Sequence, residues 1–184
     1  MLQEIRWHGR AGQGVITVSR LLAQAAILEG KYAQAFPEFG PERIGAPISG
    51  YTRIDTEPID IHSRIYEPDI VVVLDPTLLE IVNITEGLKK TGKLILNMKK
   101  SPQEASHLLK VKDVRTYTLD ATRICLDVLG NTRALNTIML GALVKATGLV
   151  SIESVMKSME ERFAGPLLEK NIELIKKSHV EAAG

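Results

Sequence analysis

The segment His8-Gly9-Arg10-Ala11-Gly12-Gln13-Gly14 has the composition of an anion-binding turn. It lies between an apolar run typical of a strand and a run with helical spacing of apolar residues. In that position, backbone N–H groups and the helix dipole can bind an anion. Its spacing differs from the Gly-x-Gly-x-x-Gly dinucleotide fingerprint, and no lysine follows Gly14 as in a phosphate-binding loop. Two interpretations stay open: contact with a phosphate or nucleotide, and a tight turn that needs small residues for packing.

A second segment of interest runs from Phe36 to Pro47 and contains three prolines and two glycines. This composition excludes a regular helix or a central strand and predicts an irregular surface loop. Its charged residues are Glu38, Glu42 and Arg43, and a guanidinium suits bidentate contact with phosphate or carboxylate oxygens. Such a loop can lie beside the first glycine turn. A solvated loop anchored by its two phenylalanines is an equally good interpretation.

A third polar group begins a helical pattern in the segment Gly130–Thr137. Asn131 or Thr132 can cap this helix. Asn136 and Thr137 lie about one turn further on and interrupt an apolar stretch. Because buried polar groups require hydrogen-bond partners, we expect a ligand or a facing subunit to supply them.

The chain has one cysteine and four histidines, which are scattered without ligand spacing. A single thiol cannot form an internal disulfide, an iron–sulfur cluster or a cysteine-rich zinc site. Cys125 lies in a helical pattern where a small buried residue fits, so we interpret it as core packing and not as a nucleophile. Paired carboxylates and a Ser-His-Asp arrangement are also missing. We therefore expect no catalytic residue and no metal ligand on this chain.

The 184 residues carry a formal net charge of +1 and are 45% hydrophobic and 24% charged. This size suits a single domain with a core of its own. The near-zero charge argues against nucleic-acid binding, which needs a basic face. No apolar run approaches the roughly 20 residues that span a bilayer, and the first residues lack the apolar stretch of a secretory signal. The expectation is a cytoplasmic protein that contacts neither nucleic acid nor membrane.

The apolar patterns predict the fold that positions these segments. It is a single three-layer α/β domain over residues 1–184, with a mostly parallel sheet and a helical carboxy-terminal third. Strands are predicted at residues 2–8, 32–36, 69–74, 93–97 and 114–119, and helices at 15–28, 76–87, 102–110, 121–129, 133–146, 151–162 and 165–178. The first strand, glycine loop, helix and second strand form one βαβ unit. Residues 49–55 and 58–63 are predicted to pair as a hairpin.

Three separated motifs, in this order along the chain, resemble the gamma subunit of pyruvate:ferredoxin oxidoreductase and its 2-oxoacid relatives. They are HGRAGQGV at residues 8–15, QAFPEFGPERIGAP at 34–47 and YEPDIVVVLD at 66–75. The segment NTIMLGAL at residues 136–143 is similar to the helical end of that family. The resemblance covers nearly the whole chain, and three ordered motifs are more specific than one glycine loop.

That resemblance implies one subunit of an enzyme of anaerobic metabolism built from alpha, beta, gamma and delta parts, a heterotetramer when these are separate chains. The family converts a 2-oxoacid, pyruvate foremost, and coenzyme A to acyl-coenzyme A and carbon dioxide, and it reduces ferredoxin. The resemblance places thiamine diphosphate, magnesium and the iron–sulfur clusters on partner subunits only. The gamma part carries much of the coenzyme A site and is not active alone.

The resemblance also implies which residues bind coenzyme A. They are Gly9, Arg10, Gly12, Gln13 and Gly14 of the glycine turn, Arg43 of the second loop, and Asn136 with its neighbour Thr137 in the later helix. The glycine turn touches either the ligand or a neighbouring subunit. Two alternatives to this function stay open, namely a free-standing nucleotide-binding α/β domain and a purely structural assembly subunit.

Overall fold

The computed structural model describes residues 1–38 and 43–184 as a six-stranded sheet with helices on both faces. The strands are β1 (Gln3–Arg10), β2 (Tyr32–Pro37), β3 (Pro47–Asp55), β4 (Ile70–Val73), β5 (Lys93–Asn97) and β6 (Arg115–Leu119). The helices are α1 (Val15–Leu28), α2 (Pro102–Leu108), α3 (Ala121–Leu129), α4 (Leu135–Thr147), α5 (Ile152–Glu160) and α6 (Gly165–Glu181), with a 3-10 helix at Pro76–Glu80. Glu42 lies outside the described residues.

The strand order is β2-β3-β1-β4-β5-β6. Strands β1, β4, β5 and β6 are parallel, whereas β3 is antiparallel to both β1 and β2. The prediction of an α/β domain with a mostly parallel sheet is therefore confirmed. The four parallel strands end at the same side of the sheet, which we call the carboxyl edge. Ligands of open α/β sheets bind at this edge.

Strand β3 is the main departure from the expected topology. It lies between β1 and β2, so the two strands of the predicted βαβ unit are not neighbours. The hairpin of residues 49–55 with 58–63 is wrong, because β3 pairs with β2 and β1 and residues 58–63 form no strand. Those residues cross one face of β3 instead, where the Arg53 guanidinium donates to the carbonyl oxygens of Ile61 and Ser63.

The helix predicted at residues 76–87 is reduced to the 3-10 helix at its start. Asp75 caps this short helix, since its side chain accepts a hydrogen bond from the Thr77 N–H at 3.0 Å. The following residues 81–85 are mostly β-branched, and such side chains lower helix propensity. Gly87 then adopts a φ of +68°, which ends any continuation of the helix.

The other helix boundaries follow the sequence closely. Helices α1 and α3 span the predicted residues, and Asp120 and Ser151 cap α3 and α5 as expected. Helix α4 begins two residues later than predicted, at Leu135. Neither Asn131 nor Thr132 is its cap; the Asn131 side chain accepts from the Arg133 N–H and closes a turn ahead of the helix.

Alternate residues of the strands pack on opposite faces of the sheet and form two hydrophobic cores of unequal size. The larger core lies between the sheet and helices α1 and α3–α6 and contains Trp7 and Ile95. The smaller one lies on the other face with α2 and contains Val71 and Leu94. Cys125 is fully buried in the larger core, and burial raises the pKa of its thiol, as expected for a packing residue.

None of the described helices is long and apolar enough to cross a membrane. Within residues 1–38 and 43–184, no three His, Cys, Asp or Glu side chains come together in a way that could hold a metal ion.

Candidate functional site

Three segments meet at the carboxyl edge through direct hydrogen bonds. The glycine loop between β1 and α1 contacts the turn before β3, because the Ala11 N–H donates to the Ala46 oxygen at 2.9 Å. The return bond runs from the Gly45 N–H to the Ala11 oxygen at 3.1 Å. The same loop contacts the 3-10 helix, since the Arg10 Nη2 donates to the Thr77 hydroxyl at 2.7 Å. The candidate residues of the first two motifs therefore share one site.

The glycine loop starts α1 in an unusual way. Gly12 and Gly14 have φ values of +98° and +76°, in the left-handed region that favours glycine. Gly14 is the N-cap of α1, and no side chain of the described residues caps the first turn, which also contains no acidic residue. The N–H groups of that turn can therefore bind an anion.

Packing explains two of the loop glycines but not the third. A Cβ on Gly9 would lie 2.5 Å from the Val15 Cγ2, and a Cβ on Gly14 would overlap the Asn136 side chain. A Cβ on Gly12 would meet nothing within 4 Å. Gly12 thus marks the open part of the loop.

Arg10 and Gln13 brace the loop through their side chains. The Gln13 Oε1 accepts from the Arg10 N–H at 2.8 Å, and its Nε2 donates to Asp75 at 2.7 Å. The Arg10 guanidinium donates to the Gly45 oxygen at 2.9 Å and lies 3.3 Å from the Asp75 carboxylate. These contacts fix the loop and leave 28% of the Arg10 side chain exposed.

Asp75 is a site residue that the sequence interpretation missed, since it contacts Gln13 and Arg10 of the glycine loop, and Asn97 lies at the same edge of the sheet. Burial raises the pKa of Asp75, but hydrogen bonds from Thr77 and Gln13 outweigh it, so the net pKa is lowered. The Asn97 Nδ2 donates to the Leu74 oxygen at 2.8 Å. Asp75 closely follows a buried apolar strand and Asn97 ends one. A polar residue at the end of a buried apolar run is expected at the carboxyl edge, so this pattern in the sequence could have identified both.

Arg43 is exposed and belongs to the turn that contacts the glycine loop. Its carbonyl oxygen accepts from the Ala46 N–H at 2.9 Å, which closes the turn. The expected neighbourhood of the two loops is therefore present. Glu38 has a different role, because its carboxylate accepts from the Tyr51 hydroxyl and the Arg64 guanidinium, both at 2.7 Å.

Asn136 and Thr137 separate in the structure. The Asn136 Nδ2 donates to the Gly14 oxygen at 3.3 Å, so Asn136 lies beneath the glycine loop. The Thr137 hydroxyl donates to the Asn171 Oδ1 at 2.6 Å and links α4 to α6. The partner expected for Thr137 from a ligand or another subunit is replaced by one within the chain.

We predict that Thr137→Val lowers the free energy of unfolding by about 1–3 kcal/mol, because it leaves the buried Asn171 oxygen without its donor. Urea denaturation measures this loss. Thr17→Val is the control, since the Thr17 hydroxyl makes no hydrogen bond within the described residues. An equal loss in both variants contradicts the assignment.

The face of the sheet opposite α1 carries buried polar side chains on β1. The Arg6 Nε donates to the His8 Nε2 at 3.0 Å, and its Nη2 donates to the Ile84 oxygen at 3.1 Å. His8 is 5% exposed, and burial together with the Arg6 charge lowers its pKa to about 3. Because Nε2 accepts from Arg6, the proton of the neutral ring is on Nδ1, which lies 3.5 Å from the Ser49 hydroxyl.

This polar face contains a cavity of about 220 Å³, which we call the His8 cavity. It is lined by His8, Glu38, Pro47, Ile48, Ser49, Leu78 and Val82.

Comparison with known proteins gives a consistent result. A family model described as pyruvate ferredoxin/flavodoxin oxidoreductase matches residues 4–179. The pyruvate/ketoisovalerate oxidoreductases common subunit gamma of Pyrococcus furiosus is 54% identical over 168 residues, which are 91% of this chain and 90% of that protein.

Solved structures share the fold. The pyruvate oxidoreductase subunit PORC of Thermotoga maritima superposes with a TM-score of 0.86 at 38% identity, covering 98% of this chain and 97% of that one. The 2-oxoglutarate:ferredoxin oxidoreductase of Magnetococcus marinus has a TM-score of 0.81 at 18% identity, covering 97% of this chain and 30% of that one, and shares the fold. From the matched residues and the full-length similarity, this chain belongs to the pyruvate ferredoxin/flavodoxin oxidoreductase family, as a gamma-type subunit.

Proposed function

We propose that this gamma-type subunit binds part of coenzyme A at the carboxyl edge, in a cytoplasmic 2-oxoacid:ferredoxin oxidoreductase that acts on pyruvate. Its partners are alpha, beta and delta subunits, and ferredoxin accepts electrons from the complex. The site residues are Gly9, Arg10, Gly12, Gln13, Gly14, Arg43 and Asn136, and among them Gln13 acts by holding the loop, because its amide is bonded to Arg10 and Asp75. Thr137 is left out because its hydroxyl is bound to Asn171.

The observation that carries this proposal is the start of α1. An uncapped first turn faces an open glycine, and the turn with exposed Arg43 is hydrogen-bonded to the same loop. Coenzyme A carries a 3′-phosphate and a diphosphate, and a helix amino terminus with a nearby guanidinium suits both groups. The Magnetococcus marinus oxidoreductase structure, which has coenzyme A bound, supports the choice of ligand.

The residues of this chain do not suit the other cofactors of the family. The single Cys125 is buried in the core and cannot hold an iron–sulfur cluster. We therefore assign the clusters, thiamine diphosphate and magnesium to the partner subunits, where the thiamine supplies the bond-making chemistry. The role of this chain is to bind and orient coenzyme A, with Arg10, Gln13 and Asp75 holding the loop in its binding conformation.

We predict that Arg43→Ala raises the KM for coenzyme A about ten- to a hundredfold in the assembled oxidoreductase, as expected for loss of a charged hydrogen bond. Pyruvate-dependent reduction of a viologen dye at varied coenzyme A concentration measures it. Subunit assembly should persist. Arg115→Ala is the matched control, because Arg115 is exposed at the start of β6, on the opposite edge of the sheet.

An unchanged KM for coenzyme A in the Arg43→Ala variant would show that Arg43 does not contact coenzyme A. The purely structural alternative predicts that outcome, together with weaker assembly when the glycine loop is altered. Purification of the complex from its host under anaerobic conditions, with assays on pyruvate, 2-oxoglutarate and branched 2-oxoacids, tests the choice of substrate.

A further inference from the structure

A groove on the outer surface of the helical layer has no part in the proposed coenzyme A site. It lies between α1 and α5 with a volume of about 300 Å³, and we call it the α1–α5 groove. Helix α1 contributes Thr17, Arg20 and Gln24, which are three and four residues apart and so share one face of the helix. The end of α5 contributes Glu161 and Arg162 on the other side. The side chains of two packed helices therefore form its walls.

Two arginine side chains of this groove have no partner in the described part of the chain. Neither the Arg20 nor the Arg162 guanidinium makes a hydrogen bond or an ion pair there, and both side chains are exposed. Arg53, in contrast, donates to the Glu4 carboxylate at 2.9 Å. A guanidinium has five N–H donors in a planar fork that matches a carboxylate. Two unpaired guanidiniums in one groove therefore favour an added carboxylate.

The acidic residue of the groove does not neutralise these arginines. The Glu161 Oε2 accepts from the Gln24 Nε2 at 3.0 Å, and this bond links α5 to α1. With Arg20 and Arg162 positive and Glu161 negative, the charged lining residues have a formal net charge of +1. The Glu161 carboxylate would repel a doubly charged phosphate. An acidic side chain carries one charge, and the backbone N–H groups beside it can donate to Glu161, so the groove fits an acidic residue within a polypeptide.

The rest of the lining adds apolar contact. Ile16 and the buried Leu21 lie in the same groove, together with the Thr17 hydroxyl, a further hydrogen-bond donor. Arginine is enriched in protein–protein interfaces, and the fully buried part of such an interface is more apolar than the rest of the surface. Arginines beside an apolar wall are therefore what a contact with another polypeptide needs.

We propose that the α1–α5 groove binds an acidic segment of a partner subunit, with one aspartate or glutamate carboxylate held between the Arg20 and Arg162 guanidiniums. This inference rests on the proposed function for the presence of partner subunits, but not for the binding of coenzyme A. The groove serves assembly, and its residues are separate from those proposed to bind the ligand. Because the contact pairs opposite charges across an interface, it weakens as ionic strength rises.

Charge reversal tests the groove through the affinity of this chain for the remaining subunits of the oxidoreductase. Arg20→Glu and Arg162→Glu should each raise the Kd for reassembly about tenfold and should make that Kd less dependent on salt. Biolayer interferometry under anaerobic conditions, at low and at high salt, measures both effects. Lys112→Glu is the matched control, because it makes the same change of charge at an exposed residue between β6 and α2, which packs on the other face of the sheet. Its Kd should not change.

Two further measurements separate this contact from folding and from ligand binding. Thermal unfolding of the isolated Arg20→Glu and Arg162→Glu chains should match that of the unmodified chain, because both substitutions are on the surface. At saturating subunit concentration, the Arg20→Glu complex should keep its KM for coenzyme A. Arg43→Ala should instead raise that KM and leave the Kd for reassembly unchanged, so failure of the proposed function is distinguishable from failure of this inference.

A photo-crosslinking residue in place of Thr17 identifies what occupies the groove. In the reassembled complex it should form an adduct with a segment of a partner subunit that contains aspartate or glutamate. An unchanged Kd in both charge-reversal variants overturns the inference. An equal increase of the Kd in Lys112→Glu, or an adduct found only with a second copy of this chain, overturns it as well.

Discussion

Gly14→Ala is expected to destabilise the protein by about 2–5 kcal/mol, from a left-handed alanine costing about 1–2 kcal/mol and an overlap with Asn136 costing about 1–3 kcal/mol. For a domain of this size the melting temperature should fall by about 5–15 °C. Thermal and urea denaturation of the isolated chain measure both quantities. The size of the effect reflects the close approach of α4 to the start of α1.

Gly12→Ala is the matched control, because Gly12 also has a positive φ but no atom lies within 4 Å of its added Cβ. The free energy of unfolding of Gly12→Ala should fall only by the cost of a left-handed alanine, about 1–2 kcal/mol. Adding Asn136→Ala to the Gly14→Ala variant removes the side chain that the new Cβ overlaps. The double variant should therefore regain the free energy of unfolding lost through that overlap, which corresponds to a coupling energy of about 1–3 kcal/mol in the double-mutant cycle. Equal losses at Gly12 and Gly14, with no coupling, would show that packing does not explain Gly14.

The second large effect on stability is expected from acid, which should lower the free energy of unfolding through His8. The folded-state pKa of His8 is about 3, below its ordinary value of 6.5, because burial and Arg6 disfavour the charged ring. The unfolded chain therefore binds more protons between these two values, and stability falls as pH falls through that window. Between about pH 6.5 and pH 4.5 the expected loss from this one group is about 2 kcal/mol.

His8→Gln isolates this contribution, because a glutamine side chain does not titrate but can still accept from the Arg6 Nε. Carboxylates act in both proteins, so the difference between their free energies of unfolding across pH 4.5–7.5 reports His8 alone. The variant should lack the additional slope below about pH 6.5. Parallel curves for the two proteins would mean that the pKa of His8 is the same in the folded and unfolded states, as for a solvated ring, and would contradict this prediction.

The elements that the sequence predicted well are those fixed by local signals. Helix α1 has periodic apolar residues between two glycine-containing turns, and its bounds Val15–Leu28 match the prediction. The apolar strands β4 and β5 were equally clear. The pairing of β3 was not predictable in this way, because its partner depends on where a proline-rich loop turns the chain, and no local pattern specifies that direction.

The same distinction applies to the candidate site. The sequence indicated that the glycine loop and the loop with Arg43 would be neighbours, since both follow strands of one sheet. It could not indicate that Asn136 lies beneath Gly14 or that Thr137 faces Asn171, because adjacent helix residues differ in direction by about 100° and only the packing of α4 fixes which faces which. The contacts of Arg10 and Gln13 with the Asp75 carboxylate likewise join segments that are distant in the sequence.

The central position of β1 affects the order of events while the chain is made. β1 is synthesised first, yet both of its partners, β3 and β4, come later, and the ladder to β4 ends at Val73. At synthesis rates of about 5–20 residues per second, the completed first strand waits about 3–13 s for its second neighbour. Until β3 is complete at Asp55, Ile5 and Trp7, which are fully buried in the finished protein, have no strand to pair with, and until β4 is complete β1 remains an unpaired edge on its other side. The nascent chain therefore presents a short apolar segment that chaperones can bind before the glycine loop takes its final shape.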